Sequence, residues 1–192
     1  MHSKTALLQA LGALGEVLAF RGLAVDIAII GGSALLLRDL SSRVTRDVDV
    51  VALVEGGNLV AADELSTQFL LAASDVAADL GLDPDWINPG PAGLLEFGLP
   101  NGFLERCETI TLAGLTVRIA DRFDQIHFKL YATADQGPRS KHLTDLTNLD
   151  PTDDELQTAA QWCRTHDPSA GFAESVSAVI RHLDSHGGSD AS

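Results

Sequence analysis

Leu7, Leu8, Leu11, Leu14 and Leu18 recur at helical spacing between Ser3 and Arg21, and Gly22 follows the run. That pattern predicts an amphipathic packing helix with a serine cap. Val25 to Ile30 is short, apolar and β-branched and stops at Gly31-Gly32, as a buried strand entering a tight turn does. Ser33 to Leu40 then reads as a short helix, and Asp47 to Val54, rich in valine, as a second strand closed by a turn at Glu55-Gly56-Gly57-Asn58. Leu59 to Leu82 keeps helical spacing, whereas Asp83 to Gly102 is rich in proline and glycine and reads as an irregular connection. Glu105 to Leu112 and Leu115 to Ala120 flank Ala113-Gly114 as a β-hairpin.

Asp121 is placed to cap a helix over Arg122 to Ala134, which Gln136-Gly137-Pro138 ends, and His142 to Leu149 is a shorter helix. Asp150-Pro151 and Asp167-Pro168 both read as a cap followed by proline, opening two C-terminal helices that reach His182. The tail from His186 to Ser192 is expected to be disordered. The elements predict an α/β (α+β) chain. Its length of 192 residues suits one compact unit, a core with a helical part behind it.

Composition narrows the class. Hydrophobic residues at 45% and charged residues at 21% are ordinary for a globular domain and exclude disordered and collagen-like chains. Cys107 and Cys163 lie far apart with no paired-ligand spacing, so free thiols in a reducing, cytoplasmic setting are expected rather than a disulfide framework or a zinc site. The apolar start from Thr5 to Phe20 is interrupted by Gly12, Gly15 and Glu16, so it does not read as a signal peptide. No run approaches the roughly 18 apolar residues that a membrane span requires. A formal net charge of -14 disfavours nucleic acid as a whole-surface partner. The positive charge is nevertheless concentrated in two segments, Arg38, Arg43 and Arg46 in one and Arg118, Arg122, Lys129, Arg139 and Lys141 in the other.

Candidate chemistry sits in and beside the first of these segments. On a strand, Asp47 and Asp49 share one face about 7 Å apart, while Val48 and Val50 pack on the other. Two carboxylates so held suit one or two Mg²⁺ ions, although an Asp-x-Asp alone also describes two solvated aspartates on an exposed edge. Gly31-Gly32-Ser33 lets a backbone approach a phosphate, with the Ser33 hydroxyl at a helix cap. The combination of strand, Gly-Gly-Ser, helix and Asp-x-Asp 14 residues after the serine is far more specific than either half. Lys129, taken by itself, reads as a surface lysine laying its stem along a partly apolar helix face. His182 and His186 have helical ligand spacing but no third partner, and Trp86 and Trp162 read as core anchors rather than base-stacking platforms.

The segment GGSALLLRDLSSRVTRDVDVV from Gly31 to Val51 resembles the nucleotidyltransferase superfamily that shares the DNA polymerase β catalytic fold. Its longer form is similar to the AbiEii and MenT branch of toxin-like transferases. Phe128-Lys129-Leu130-Tyr131-Ala132, with Arg139, Lys141 and Asp145-Leu146, resembles a second segment of that branch, in which His142 stands where an aspartate is usual.

The resemblance implies a nucleotidyltransferase fold, a small mixed sheet flanked by helices, with a catalytic core over residues 1–150 and C-terminal helices over 151–185 packed on it. It implies that Asp47 and Asp49 hold Mg²⁺ or Mn²⁺, that Gly31, Gly32 and Ser33 cradle phosphate, and that Lys129 contacts a nucleoside triphosphate. Asp145 would be a further catalytic carboxylate. Glu105, Glu108 and Asp121 are alternatives for the third metal carboxylate of the wider superfamily. The implied reaction is transfer of a nucleotide to the 3′ end of a tRNA, docked on Arg38, Arg43, Arg46, Arg139 and Lys141. The protein would then be a toxin with a cognate antitoxin, kinase-like if Thr45 is the residue it phosphorylates. Transfer to a small molecule or a protein fits the acidic total better, and a silent regulatory module of the same fold is the non-enzymatic alternative.

Overall fold

The computed structural model describes residues 3–62, 65–137 and 139–187. Among them the architecture is mixed α/β, with eight α-helices and one mixed sheet of six strands. The chain clusters into two compact units, 1–121 and 122–192, where its length suggested one. The stretch 1–150 expected as a core therefore takes in the first unit and part of the second.

The first unit runs α1 (Lys4–Phe20), β1 (Val25–Ile30), α2 (Gly31–Leu37), β2 (Val48–Glu55), β3 (Asn58–Ala61), α3 (Thr67–Leu80), β4 (Ile87–Asn88), α4 (Phe103–Arg106), β5 (Glu108–Leu112) and β6 (Leu115–Ile119). The sheet order is β3-β2-β1-β6-β5, with β4 alongside β2. β1 is antiparallel to β2 and parallel to β6. Ile27 and Ile29 of β1, Val48 and Val50 of β2, and Leu115, Val117 and Ile119 of β6 form one apolar sheet face. It packs with Leu7, Leu11 and Leu14 of α1 and Phe69 and Val76 of α3. The ladder between β1 and β2 shifts by one residue: Ala28 faces Ala52 but Ile29 faces Val50, which leaves Val51 as the extra residue of a bulge. Beyond the bulge Asp49 lies directly opposite Ile30, the last residue before Gly31.

Most element boundaries follow the hydrophobic pattern, and β1 coincides with its expected range. The expected helix from Leu59 to Leu82 does not hold over its first residues, which form β3 instead. Gly56 and Gly57, both at positive φ, turn the chain back so that Asn58 pairs with Glu55. α3 begins only after Ser66, whose hydroxyl accepts the Phe69 amide, and ends at Gly81 in the left-handed region. Within the expected irregular connection, β4 adds a two-residue parallel strand and Ala92–Leu95 a single 3₁₀ turn. Trp86 is buried and donates its indole N–H to the Ala73 carbonyl at 3.0 Å, as a core anchor should.

The second unit consists of α5 (Arg122–Gln136), α6 (Lys141–Asn148), α7 (Asp153–His166) and α8 (Ala170–Gly187), with α5 packed against the other three. The caps of α7 and α8 lie two residues beyond the aspartates expected. Thr152 and Glu155 form a reciprocal capping box, and the Ser169 hydroxyl accepts the Phe172 amide. Arg122 bonds Glu155 at 2.6 Å and the Leu149 and Asp150 carbonyls, fastening the start of α5 to that of α7. That guanidinium bond is the chief reason the Glu155 carboxyl lies below its ordinary value. Trp162 sits among His166, Phe128 and His127, ring centroids 4.1, 5.5 and 5.8 Å away. α8 extends to Gly187, past the expected start of the tail; residues 188–192 and the side chain of residue 186 fall outside the described part. Among the described residues no helix is long and apolar enough to cross a membrane.

Both cysteines are free. Burial pushes the Cys163 thiol up to about 12, whereas Cys107 is partly exposed. Since the thiolate is the reacting species, iodoacetamide at pH 8 is expected to modify Cys107 alone in the native protein and both cysteines in denaturant. Mass spectrometry reads the outcome, and equal labelling of Cys163 in the native state would show that α7 is not packed as described.

Candidate functional site

The strand directions bring several chemistry-bearing residues to one end of the sheet in the first unit. β1 ends there and runs into Gly31; β2 starts there, so Asp49 lies beside that turn. β6, parallel to β1, ends there as well, and Ala120 donates its amide to the Ile29 carbonyl just before Asp121. Glu108, opposite Ile119, opens β5 at the same end.

Gly31 has φ 76°, and a Cβ at that position would overlap the Asp49 carboxylate. Glycine is therefore required twice, by conformation and by space. Gly31→Ala is expected to destabilise the first unit by about 1–3 kcal/mol and to displace Asp49. An unchanged melting temperature would show that the turn relaxes freely.

Asp49 is half-buried in β2 between Val48 and Val50, both within the core. Asp47 is half-buried too, but it precedes β2 and lies outside the ladder, which corrects the expectation of two aspartates on one regular strand. Its main chain is held instead by the Thr45 hydroxyl, 3.1 Å from the Asp47 carbonyl oxygen and 3.4 Å from its Oδ1. Thr45 is only 5% exposed, so a kinase reaches its hydroxyl only if this segment opens.

Ser33 departs from its expected place. Ile30 occupies the cap position of α2, and Ser33 is the third residue of the helix, fully buried, its hydroxyl donating to the Ile30 carbonyl at 3.3 Å. Of the three residues expected to cradle phosphate, Gly31 lies against the Asp49 carboxylate and Gly32 against Thr45 and Arg43, while Ser33 acts inward.

In the second unit, Lys129 of α5 and Asp145 of α6 form an ion pair of 2.7 Å with side chains 4% and 1% exposed. Lys129 is thus no surface lysine. Thr133, one turn on, is also buried and returns its hydroxyl to the Lys129 carbonyl at 2.7 Å.

The two basic segments are largely engaged within the molecule. Arg38 at the end of α2 bonds Asp121 at 2.9 Å and reaches Glu108 at 3.5 Å, so two of the three alternative carboxylates already share one guanidinium. Glu105 is exposed on α4. Arg118 bonds Asp26 through two of its nitrogens, which raises its pKa further, and Arg122 and Lys129 are paired as described. Arg43 lies beside Gly32. Arg46, Arg139 and Lys141 are exposed.

No protein-family model, curated protein or solved structure matches the chain.

What the site can do rests on its own donors. Among the described residues no three His, Cys, Asp or Glu side chains are grouped to hold a metal ion. Asp47 and Asp49 nevertheless supply hard oxygen donors, Asp49 beside a turn where the missing Cβ lets its carboxylate approach the backbone. Such a donor set fits Mg²⁺ or Mn²⁺, ions that keep several water or phosphate oxygens in their shell. Sequence reasoning missed the part taken by Thr45 in holding Asp47. The signal available was its spacing, two residues before Asp47, the span over which threonine hydroxyls bond neighbouring backbone.

Proposed function

We propose that this chain is a metal-dependent nucleotidyltransferase of the DNA polymerase β-like superfamily, similar to its AbiEii and MenT branch. The observation that carries the reading is the approach of Asp49 to the Gly31 turn, with Asp47 two residues earlier in the chain. In the reaction, the oxygen of an acceptor hydroxyl attacks the α-phosphorus of a nucleoside triphosphate. The bond to the bridging oxygen breaks and pyrophosphate leaves. A divalent ion, when bound, neutralises charge on the phosphates and lowers the pKa of the hydroxyl. Asp47 and Asp49 would hold the ion, and the side-chain-free Gly31 lets the Asp49 carboxylate lie against the turn.

The acceptor in this reading is a tRNA 3′ end, which makes the chain a toxin controlled by an antitoxin. The test is incubation of the purified protein with Mg²⁺, each labelled nucleoside triphosphate, and either total tRNA or a protein extract. Label on tRNA supports the reading, and no label on any acceptor or on pyrophosphate sinks it. Docking of tRNA would fall to the exposed Arg46, Arg139 and Lys141 and would weaken steeply with salt. A small-molecule acceptor is the second reading, favoured by the pairing of Arg38, Arg118, Arg122 and Lys129 with carboxylates of the same chain. Charge reversal at Lys141 that leaves transfer unchanged would decide for it.

A further inference from the structure

We propose that Thr45 is a positioning residue for Asp47, a hydroxyl strut wedged between Gly32 and the aspartate; the proposal rests on the metal-dependent reading above. Three observations carry it. Asp47 stands outside the β-ladder, so no strand pairing fixes its carboxylate. The Thr45 hydroxyl lies within hydrogen-bond reach of two Asp47 oxygens, the carbonyl at 3.1 Å and Oδ1 at 3.4 Å. It is also buried to 5% exposure, and a Cβ on Gly32 would meet Thr45 Oγ1 at 3.1 Å, so the strut has little space to swing away.

A hydroxyl carries one proton, which these two oxygens compete for. Donation to the carbonyl fixes the backbone of Asp47, and donation to Oδ1 leaves the other carboxylate oxygen as the stronger donor to a cation. The first bond places the main chain of Asp47, and the second turns its carboxylate toward the Thr45 hydroxyl that lies beside Gly32. Outer-shell partners of this kind typically change metal affinity by about 10- to 100-fold when removed. Thr45→Val keeps the shape, the branching and the strand preference and removes only the hydroxyl. Thr45→Ser keeps the hydroxyl and removes a methyl group.

The experiment titrates Mn²⁺ into the full chain by electron paramagnetic resonance, with and without a nucleoside triphosphate, and records melting of each variant. The expected result is affinity lower by about 10- to 100-fold in Thr45→Val and within about threefold of wild type in Thr45→Ser, with both melting near wild type. Gly32→Ala, which crowds the strut from behind, is expected to lower affinity as well. Wild-type affinity in Thr45→Val overturns the proposal and leaves the transferase reading standing. Equal loss in the valine and serine variants, in step with a lower melting temperature, also overturns it, because packing alone then explains the effect. A wild-type chain that binds no Mn²⁺ in the presence of any nucleoside triphosphate removes the strut and the transferase reading together.

Discussion

Asp49→Ala is expected to reduce nucleotidyl transfer by about a thousandfold while the protein melts close to wild type. The two effects separate because of where the residue sits. Asp49 is half-buried at the start of β2, and the strand is held by Val48 and Val50, which stay in the core whatever occupies the position between them. Asp49→Asn keeps the shape beside Gly31 and removes only the charge, so it should fail as badly. Asp47→Ala is expected to fail in the same assay, and because it keeps the backbone carbonyl that accepts the Thr45 hydroxyl, the chain before β2 should stay in place. Transfer within tenfold of wild type in both alanine variants would show that these carboxylates do not carry the chemistry.

Local pattern made much of the fold legible. β1, the hairpin of β5 and β6 around Ala113-Gly114, and α5 follow from periodicity and turn residues within a few positions. What the pattern does not encode is pairing at long range. Arg118 reads as a basic residue available to nucleic acid, yet the parallel register of β1 and β6 delivers it to Asp26, 92 residues earlier. Arg38 is likewise withdrawn by Asp121, 83 residues later. β3 was hidden because Leu59 and Val60 fit a helical stripe that continues into α3, and only the Gly56-Gly57 turn overrides it. At the candidate site, the Gly31 turn and Asp49 could be read directly from spacing. The displacement of Asp47 from the strand and the inward turn of Ser33 depend on single hydrogen bonds that no periodicity announces.

Lys129→Ala and Asp145→Ala are each expected to cost about 3–5 kcal/mol, because either change leaves an uncompensated charge where both side chains are all but inaccessible to water. Against a total stability of about 5–15 kcal/mol for a domain, that loss leaves the second unit marginal at physiological temperature. Such variants would lose transfer for a trivial reason and would say nothing of a catalytic role. Lys129→Met combined with Asp145→Leu removes both charges and keeps comparable apolar volume. Replacing a buried pair in this way is often neutral or stabilising, so the double variant should melt at or above wild type. Thermal melting followed by circular dichroism checks the sequence of effects, and a single variant that melts like wild type would show that the pair contributes little. The folded double variant then isolates the chemistry that the family resemblance implies for these two residues. Lost transfer with melting restored assigns the charges to the reaction. Retained transfer confines Lys129 and Asp145 to holding α5 against α6.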